Sequence, residues 1–435
     1  MCDDNKSCTH DSEEADESLS LLDLPVEIFL HICTFLEVPT LIHSLSLVCK
    51  QFHLILRDEF FWKARVSRIW PNSHYPILRP VSVKFNKMFW KLVCTQAEKQ
   101  KALWKQGGYM EDFIVSDDSL SGYSSTKDAL LLMHNGTTCI AGARDRTLTC
   151  WSIPASGSKQ TCICINCAHN GWIWDLTAID DTVYSCSWDH TVKSWTLSGS
   201  GFVQQTIYQI SSTSRIVPCA LLSMTSCPEQ ALFATGSYNR NVYVFDARSG
   251  CIPIRQYKAH NKAVLKMAMN SEHIISVSND KTMTVWDQRT GRIMKSITIS
   301  DEAFPMCISM QRDSICLGDN LGNLHVLNPK NDFELVKSFS VGHKKAITGV
   351  YLSYDNLITS STDGTIRILS PTDPPRPITV KKSGFGEVAS LQYQNDVLAI
   401  SGIDIRIWRP KSIYSEKYVK EESDQGGESS ENSCI

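Results

Sequence analysis

The chain has 435 residues, 42% of them hydrophobic, and a formal net charge of −3. This length allows two or three domains with sizeable cores, and the charge balance offers no basic surface for nucleic acid. The longest apolar runs, such as "ALLLM" at 129–133, are far too short to span a bilayer.

Residues 1–20 are acidic and Ser-rich, with little to bury, and read as disordered; they lack the apolar core of a signal peptide. Seventeen cysteines without an export signal fit a reducing compartment, hence a cytoplasmic and/or nuclear protein. From Leu21 the apolar spacing becomes helical. Leu24-Pro25 opens a first helix, with Asp23 as a cap and Ile28, Ile32, Phe35 and Leu36 following. A second helix carries Leu41, Leu45 and Val48; a third begins near Lys50 and holds Phe52 and Ile55; Trp62 ends the unit. So short a bundle, 21–65, exposes more apolar surface than it can bury, which calls for a partner. Residues 66–109 read as a helical linker, with Phe85, Met88, Phe89, Leu92 and Val93 on one stripe.

From 110 to 410 the texture changes to short strands split by Gly, Asn, Asp and Ser turns. "RDRTLTCW", "WDHTVKSW", "YNRNVYVF", "NDKTMTVW", "NLGNLHVL", "TDGTIRIL" and "SGIDIRIW" are each a polar turn feeding an alternating strand. They end at Trp151, Trp195, Phe245, Trp286, Leu327, Leu369 and Trp408, spaced 44, 50, 41, 41, 42 and 39 residues apart. Such a period is the signature of WD40 repeats, one four-stranded blade each, and predicts an all-β seven-bladed propeller behind the small α-helical domain. The last blade runs out of chain after Trp408, so Met110–Asp118 is expected to supply its outer strand and close the ring. Residues 411–435 read as a disordered tail.

Two repeats carry the residues of a hydrogen-bonded tetrad: His169, Ser185, Asp189, Trp195 and His260, Ser276, Asp280, Trp286. A third set, His343, Thr359 and Asp363, ends in Leu369 and cannot complete the chain. The fifth repeat has Leu321 where Asp belongs and the seventh has Gly402, so these blades are expected to rely on packing and to be looser. The histidines and aspartates are therefore structural, and no Ser–His–Asp triad accompanies them. "GSGFV" at 199–203 and "GFGEV" at 384–388 read as turns, not phosphate loops. "TCICINCAH" offers Cys162, Cys164, Cys167 and His169 to a metal, but no second pair follows, and the alternation reads as one face of a strand. No metal or cofactor is expected.

"LPVEIFLHICTFLEVPTLIHSLSLVCKQF … FW" closely resembles the F-box, and with the repeats the chain resembles the F-box/WD-repeat family. That resemblance implies a non-catalytic substrate receptor of an SCF (cullin–RING) ubiquitin ligase. The F-box would dock on the S-phase-kinase-associated adaptor, which links to the cullin–RING core, while the propeller holds protein substrates close to the charged E2. Leu24, Pro25, Ile28, Ile32, Leu36, Val48 and Cys49 match family positions that pack on the adaptor or support that surface. The alternatives are a WD40 scaffold whose ligands are not degraded, a hydrolase or transferase, for which no acid, base or nucleophile converges, and a nucleic-acid binder, which the charge opposes.

In WD40 repeats the residues three and five after the His, and the one before the turn Asp, line one propeller face. In the second repeat these are Trp172, Trp174 and Trp188, all indole; elsewhere they are Arg144, Tyr238, Leu265, Met306 and Thr348. Phosphodegron readers of the family gather several arginines here; this chain has Arg144. The expected substrate site, Trp172, Trp174, Trp188, Arg144 and Tyr238, is thus aromatic and apolar, suited to a hydrophobic anchor or to an Arg or Lys chain stacked on indole. The competing expectation is that the tryptophans merely pack on one another.

Overall fold

The computed structural model describes residues 21, 24–71, 89–105, 107–114, 125–153, 161–198, 201–210, 219–311 and 314–411. The expectations for 1–20, Asp23, Phe85, Met88, Val115–Asp118, 199–200 and 412–435 lie outside them. The chain divides into two compact units, one ending at Phe61 and one beginning at Trp62.

In the first unit, α1 (Val26–Cys33) follows Pro25, whose φ of −52° already suits helix entry. α2 (Val38–His43) has Pro39 in its first turn. The predicted second helix does not run on to Val48. Ser44 leaves helical geometry at φ −120°, and Leu45–Leu47 form a separate 3-10 turn. α3 (Lys50–Arg57) is capped by Cys49, whose sulfur accepts from the Phe52 N–H. The core is Phe29, Cys33, Val38, Leu41, Phe52 and Leu56, with the Phe29 and Phe52 rings stacked at 4.2 Å. Phe35 and Leu36 fall beyond the end of α1. Trp62 is buried within α4 (Glu59–Ile69) and follows the last residue of the first unit.

The second unit holds seven four-stranded antiparallel sheets. Blades 1 to 6 cover 129–165, 173–209, 221–258, 264–298, 305–340 and 347–382, each with its strands in chain order; blade 7 covers 390–410. All seven predicted strand endings, Trp151 to Trp408, fall on the third strand of their blade and are buried. The ring closes as expected: Tyr109–Ile114 pairs with Ile405–Pro410 and becomes the outer strand of blade 7, so no inner edge is left open. Glu111 pairs with Arg406 at 2.6 Å across this seam.

The linker helix α5 (Phe89–Lys105) is part of the propeller body. Trp104 joins the core cluster of blades 6 and 7 with Ile358, Ile366, Leu398 and Trp408. Buried Gln100 donates to Tyr393 Oη (3.0 Å) and Asp396 Oδ1 (2.8 Å) and accepts from the Trp104 indole N–H (3.1 Å). Lys99 pairs with Asp396 at 2.6 Å. Phe89 and Val93 of the predicted stripe are buried, whereas Leu92 is exposed. α5 stops where Gly107 takes φ +72° and the Gly108 N–H bonds back to Leu103 O, a glycine helix stop that turns the chain into the closing strand.

Polar networks fix the blades. In blade 2 the tetrad is complete. His169 Nδ1 meets Asp189 Oδ2 at 3.0 Å, His169 Nε2 meets Ser185 Oγ at 2.7 Å, and the Trp195 indole N–H donates to Ser185 Oγ at 2.8 Å. Both ring nitrogens of His169 are thereby used, which leaves none for a metal. Blade 4 keeps His260, Ser276 and Asp280 together but stops there. Among the described residues the Trp286 indole makes no bond to Ser276; its ring lies flat on Tyr257, 4.9 Å away at 4°. In blade 6 His343 bridges Asp363 (3.2 Å) and Thr359 (2.9 Å), and Leu369 ends the chain as expected.

Blade 5 departs from the expectation of packing alone. Asp319, 1% exposed, accepts from the backbone N–H groups of Leu321 (2.9 Å) and Asn323 (2.7 Å) and from His325 Nε2 (3.1 Å), while His325 Nδ1 meets Ser338. A buried acid two residues before Leu321 thus replaces the missing one. In blade 7, Gly402 is required by space, because a Cβ there would lie 2.4 Å from Glu387 O. Residues 384–388 form a turn, as predicted.

Candidate functional site

Each unit carries one surface that its own core does not use. On the F-box unit, Ile28 and Val48 are exposed, as is Pro25, while Leu24, Ile32, Leu36 and Cys49 are half-buried. None of these seven belongs to the core, which α1, α2 and α3 fill with Phe29, Cys33, Val38, Leu41, Phe52 and Leu56. Phe35, which the helical spacing had picked out, is 76% exposed, and the spacing missed Phe60, also 76% exposed, as well as Leu47 and Leu54. Leu47 and Leu54 line a shallow groove of about 510 Å³ with Ser46, Cys49, Lys50 and His53. So many large apolar side chains in contact with water on so small a unit mark an interface. The signal was present as an apolar excess, but not as a period.

On the propeller, five of the eight residues counted from His and Asp meet at one cavity. Arg144, Trp174, Leu265, Met306 and Thr348 all line one cavity of about 640 Å³, together with Asp128, Lys266, Phe385, Val388 and Ile403. Trp172 and Trp188 lie beside it, stacked on Trp174. The centroids are 4.8 Å apart for Trp172–Trp188, 5.8 Å for Trp174–Trp188 and 6.2 Å for Trp172–Trp174. The tryptophans therefore do pack on one another, yet Trp172 and Trp188 stay 38% and 41% exposed. Tyr238 is also exposed, but it neither lines the cavity nor makes ring contact with the three.

The blade 2 tetrad supports this cluster. Asp189 accepts from the Asn170 N–H (2.8 Å) and the Thr191 N–H (3.0 Å), and the Trp188 N–H donates to Trp172 O (3.0 Å). Gly171 permits this closure, since a Cβ would lie 2.7 Å from the Asp189 N. Burial pushes the His169 pKa down against the pull of Asp189. Burial works to raise Asp189, but hydrogen bonds from His169 and Thr191 outweigh it, and the carboxyl stays well below its ordinary range.

Charges at the cavity come in pairs that the sequence did not announce. Arg144 Nε and Nη2 donate to Asp128 at 2.7 and 3.0 Å. Lys266 of blade 4 meets Asp175 of blade 2 at 2.8 Å, and Asp175 also accepts from the Met224 N–H of blade 3 at 2.8 Å. Lys345 and Glu387 pair at 3.2 Å. Among the described residues that line the cavity, Arg144 and Lys266 each already have an anion. Among the described residues no helix is long and apolar enough to cross a membrane.

The combination of a helical apolar docking unit and a closed propeller with a ligand-sized face defines a class of two-part recognition proteins, and comparisons with known proteins identify it. The F-box-like family model matches residues 21–68, and the WD domain, G-beta repeat model matches 251–287 and 333–370. The chain belongs to the F-box/WD-repeat family. It is similar to F-box/WD repeat-containing protein 9 of Homo sapiens, 33% identical over 399 residues, covering 89% of this chain and 82% of the relative. The Bos taurus protein of the same name is 33% identical over 398 residues, with the same coverage. F-box/WD repeat-containing protein mec-15 of Caenorhabditis elegans is 26% identical over 336 residues, covering 74% of this chain and 78% of the relative.

Proposed function

We propose that the chain is a substrate-recognition subunit of an SCF (cullin–RING) ubiquitin ligase. Its F-box unit docks on the S-phase-kinase-associated adaptor through Leu24, Pro25, Ile28, Ile32, Leu36, Val48 and Cys49. Its propeller holds a protein substrate at Trp172, Trp174 and Trp188 and the adjoining cavity. The observation that carries this reading is the pair of unused surfaces: exposed aliphatic residues on the F-box unit and an exposed indole cluster beside a cavity of about 640 Å³ on the propeller. The chain contributes proximity and no chemistry of its own.

The indole cluster fits an apolar or aromatic anchor from the substrate, with charge-paired walls around it. Affinity capture tests both halves. Leu24→Ala with Pro25→Ala should abolish adaptor capture while the propeller stays folded. Trp172→Ala with Trp188→Ala should lose substrates that accumulate when neddylation is blocked, with adaptor capture intact. Undiminished adaptor capture by the first variant removes the docking assignment. Partners whose turnover does not change on depletion of the chain turn the reading into a scaffold that binds without degrading.

A further inference from the structure

The aromatic site already contains a cation, and it is the chain's own. The Arg144 guanidinium carbon lies 5.4 Å from the Trp172 ring centroid and 5.5 Å from that of Trp174. Its two-pronged bond to Asp128 holds it there. The Asp128 side chain is only 12% exposed, so Arg144 and not water neutralises it. Two indole faces beside a poorly hydrated carboxylate are the composition of a seat for an organic cation, and a planar guanidinium is its best-matched occupant. The residues come from sequence-distant places, Asp128 before the first strand of blade 1, Arg144 after its second strand and the indoles from blade 2.

We propose that Arg144 is a built-in occupant of this seat and sets the charge selectivity of the substrate face. With Arg144 in place, a substrate Arg or Lys chain must displace it from both rings and from Asp128, while a neutral apolar or aromatic anchor lies against the exposed sides of Trp172 and Trp188 and keeps the pair intact. Of the two ligand types an indole cluster can take, the protein has reserved one for itself. This inference rests on the reading of the face as the substrate site, yet the seat can be measured without any substrate.

The test uses the full chain labelled with 5-fluorotryptophan, its fluorine resonances assigned with Trp172→Phe and Trp174→Phe, and N-methylguanidinium as the probe. The wild type should show no saturable shift at these two resonances. Arg144→Ala should show one at both, with binding about tenfold tighter or better, the scale of a desolvated cation on indole. Arg144→Gln, which keeps most of the side-chain stem, should gain in the same way, and Arg144→Ala combined with Asp128→Asn should lose the gain. Binding by Arg144→Ala and Arg144→Gln no tighter than by the wild type overturns the proposal, because Arg144 and Asp128 are then an ordinary surface ion pair. A negative result leaves the substrate face itself standing, since that is judged by capture with Trp172→Ala and Trp188→Ala.

Discussion

Blades 2 and 5 solve one problem with different residues. Both must hold the turn between their second and third strands against the strands behind it. Blade 2 does so with a relay that starts at Asp189 in the turn and runs through His169 and Ser185 to the Trp195 indole. Blade 5 moves the acid back to the end of its second strand, at Asp319, and takes its histidine from the third strand, at His325. The surfaces that sit on top differ accordingly. The blade 2 relay leaves the residue before the Asp free to point outward, and that residue is Trp188. Blade 5 places Leu321 in its turn and presents no aromatic cluster. A propeller tolerates such exchange because each blade needs its buried donors satisfied, not a particular set of atoms.

The largest expected effect comes from removing the blade 5 acid. Asp319→Ala would remove the acceptor of the Leu321 and Asn323 N–H groups and strand the buried His325 ring. Breaking a buried charged network of this kind costs about 3–4 kcal/mol. Asp189→Ala strands a similar number of donors, but in a turn that solvent reaches more easily, and should cost about 2 kcal/mol. Urea midpoints of the full chain measure both. An Asp319→Ala chain as stable as wild type would show that blade 5 does rely on packing alone.

Acid should weaken the tetrad blades together. His169, His260 and His343 have pKa values lowered mainly by burial, against the opposing pull of Asp189, Asp280 and Asp363. A lowered folded-state value means that the unfolded chain takes up protons first. Their stabilisation is therefore fully present above the unfolded value of about 6.5 and is lost as pH falls through it toward the folded values. The aspartates act in the same sense further down: Asp363, held at about 2 by its hydrogen bonds despite burial, loses its contribution below about pH 4. Between pH 7.5 and 5.5 the wild type should lose on the order of 1–2 kcal/mol, and His169→Gln should flatten that slope. Equal slopes for the two chains would mean that His169 titrates alike in the folded and the unfolded chain.

What the sequence revealed and what it hid follow one line. Each blade ending, from Trp151 to Trp408, is set by a two-residue alternation that ends in a large apolar side chain, and such local periodicity survives into the fold. Trp174, Leu265 and Thr348 were legible as cavity-lining residues because each sits five positions after the histidine of its repeat. The partners were not. Asp128 for Arg144, Asp175 for Lys266 and Asp396 for Gln100 join residues 16, 91 and 296 positions apart. No period relates such positions: the first hairpin of blade 1 brings Asp128 to Arg144, and contacts between distant blades and α5 bring the other two pairs together. The break of the second F-box helix at Ser44 was hidden for the opposite reason: the apolar spacing of Leu41, Leu45 and Val48 continues across a point where the backbone does not.

The smallest effect isolates a single bond. Trp195→Phe and Trp286→Phe remove the same volume from equivalent buried positions on the third strands of blades 2 and 4. Each leaves a phenyl ring behind, so packing losses largely cancel between them. They differ in one respect: the Trp195 N–H donates to Ser185 at 2.8 Å, whereas Trp286 makes no such bond to Ser276 and stacks on Tyr257, which a phenyl ring can also do. Trp195→Phe should therefore cost more, by about 1 kcal/mol, the net worth of one buried hydrogen bond whose acceptor retains another partner. Ser185 keeps His169 in that variant, so the penalty stays at this scale. Urea midpoints of the two variants, compared with each other and not with wild type, give the number. Equal midpoints would mean that the fourth link of the blade 2 relay adds nothing beyond packing, and that the two blades are energetically alike.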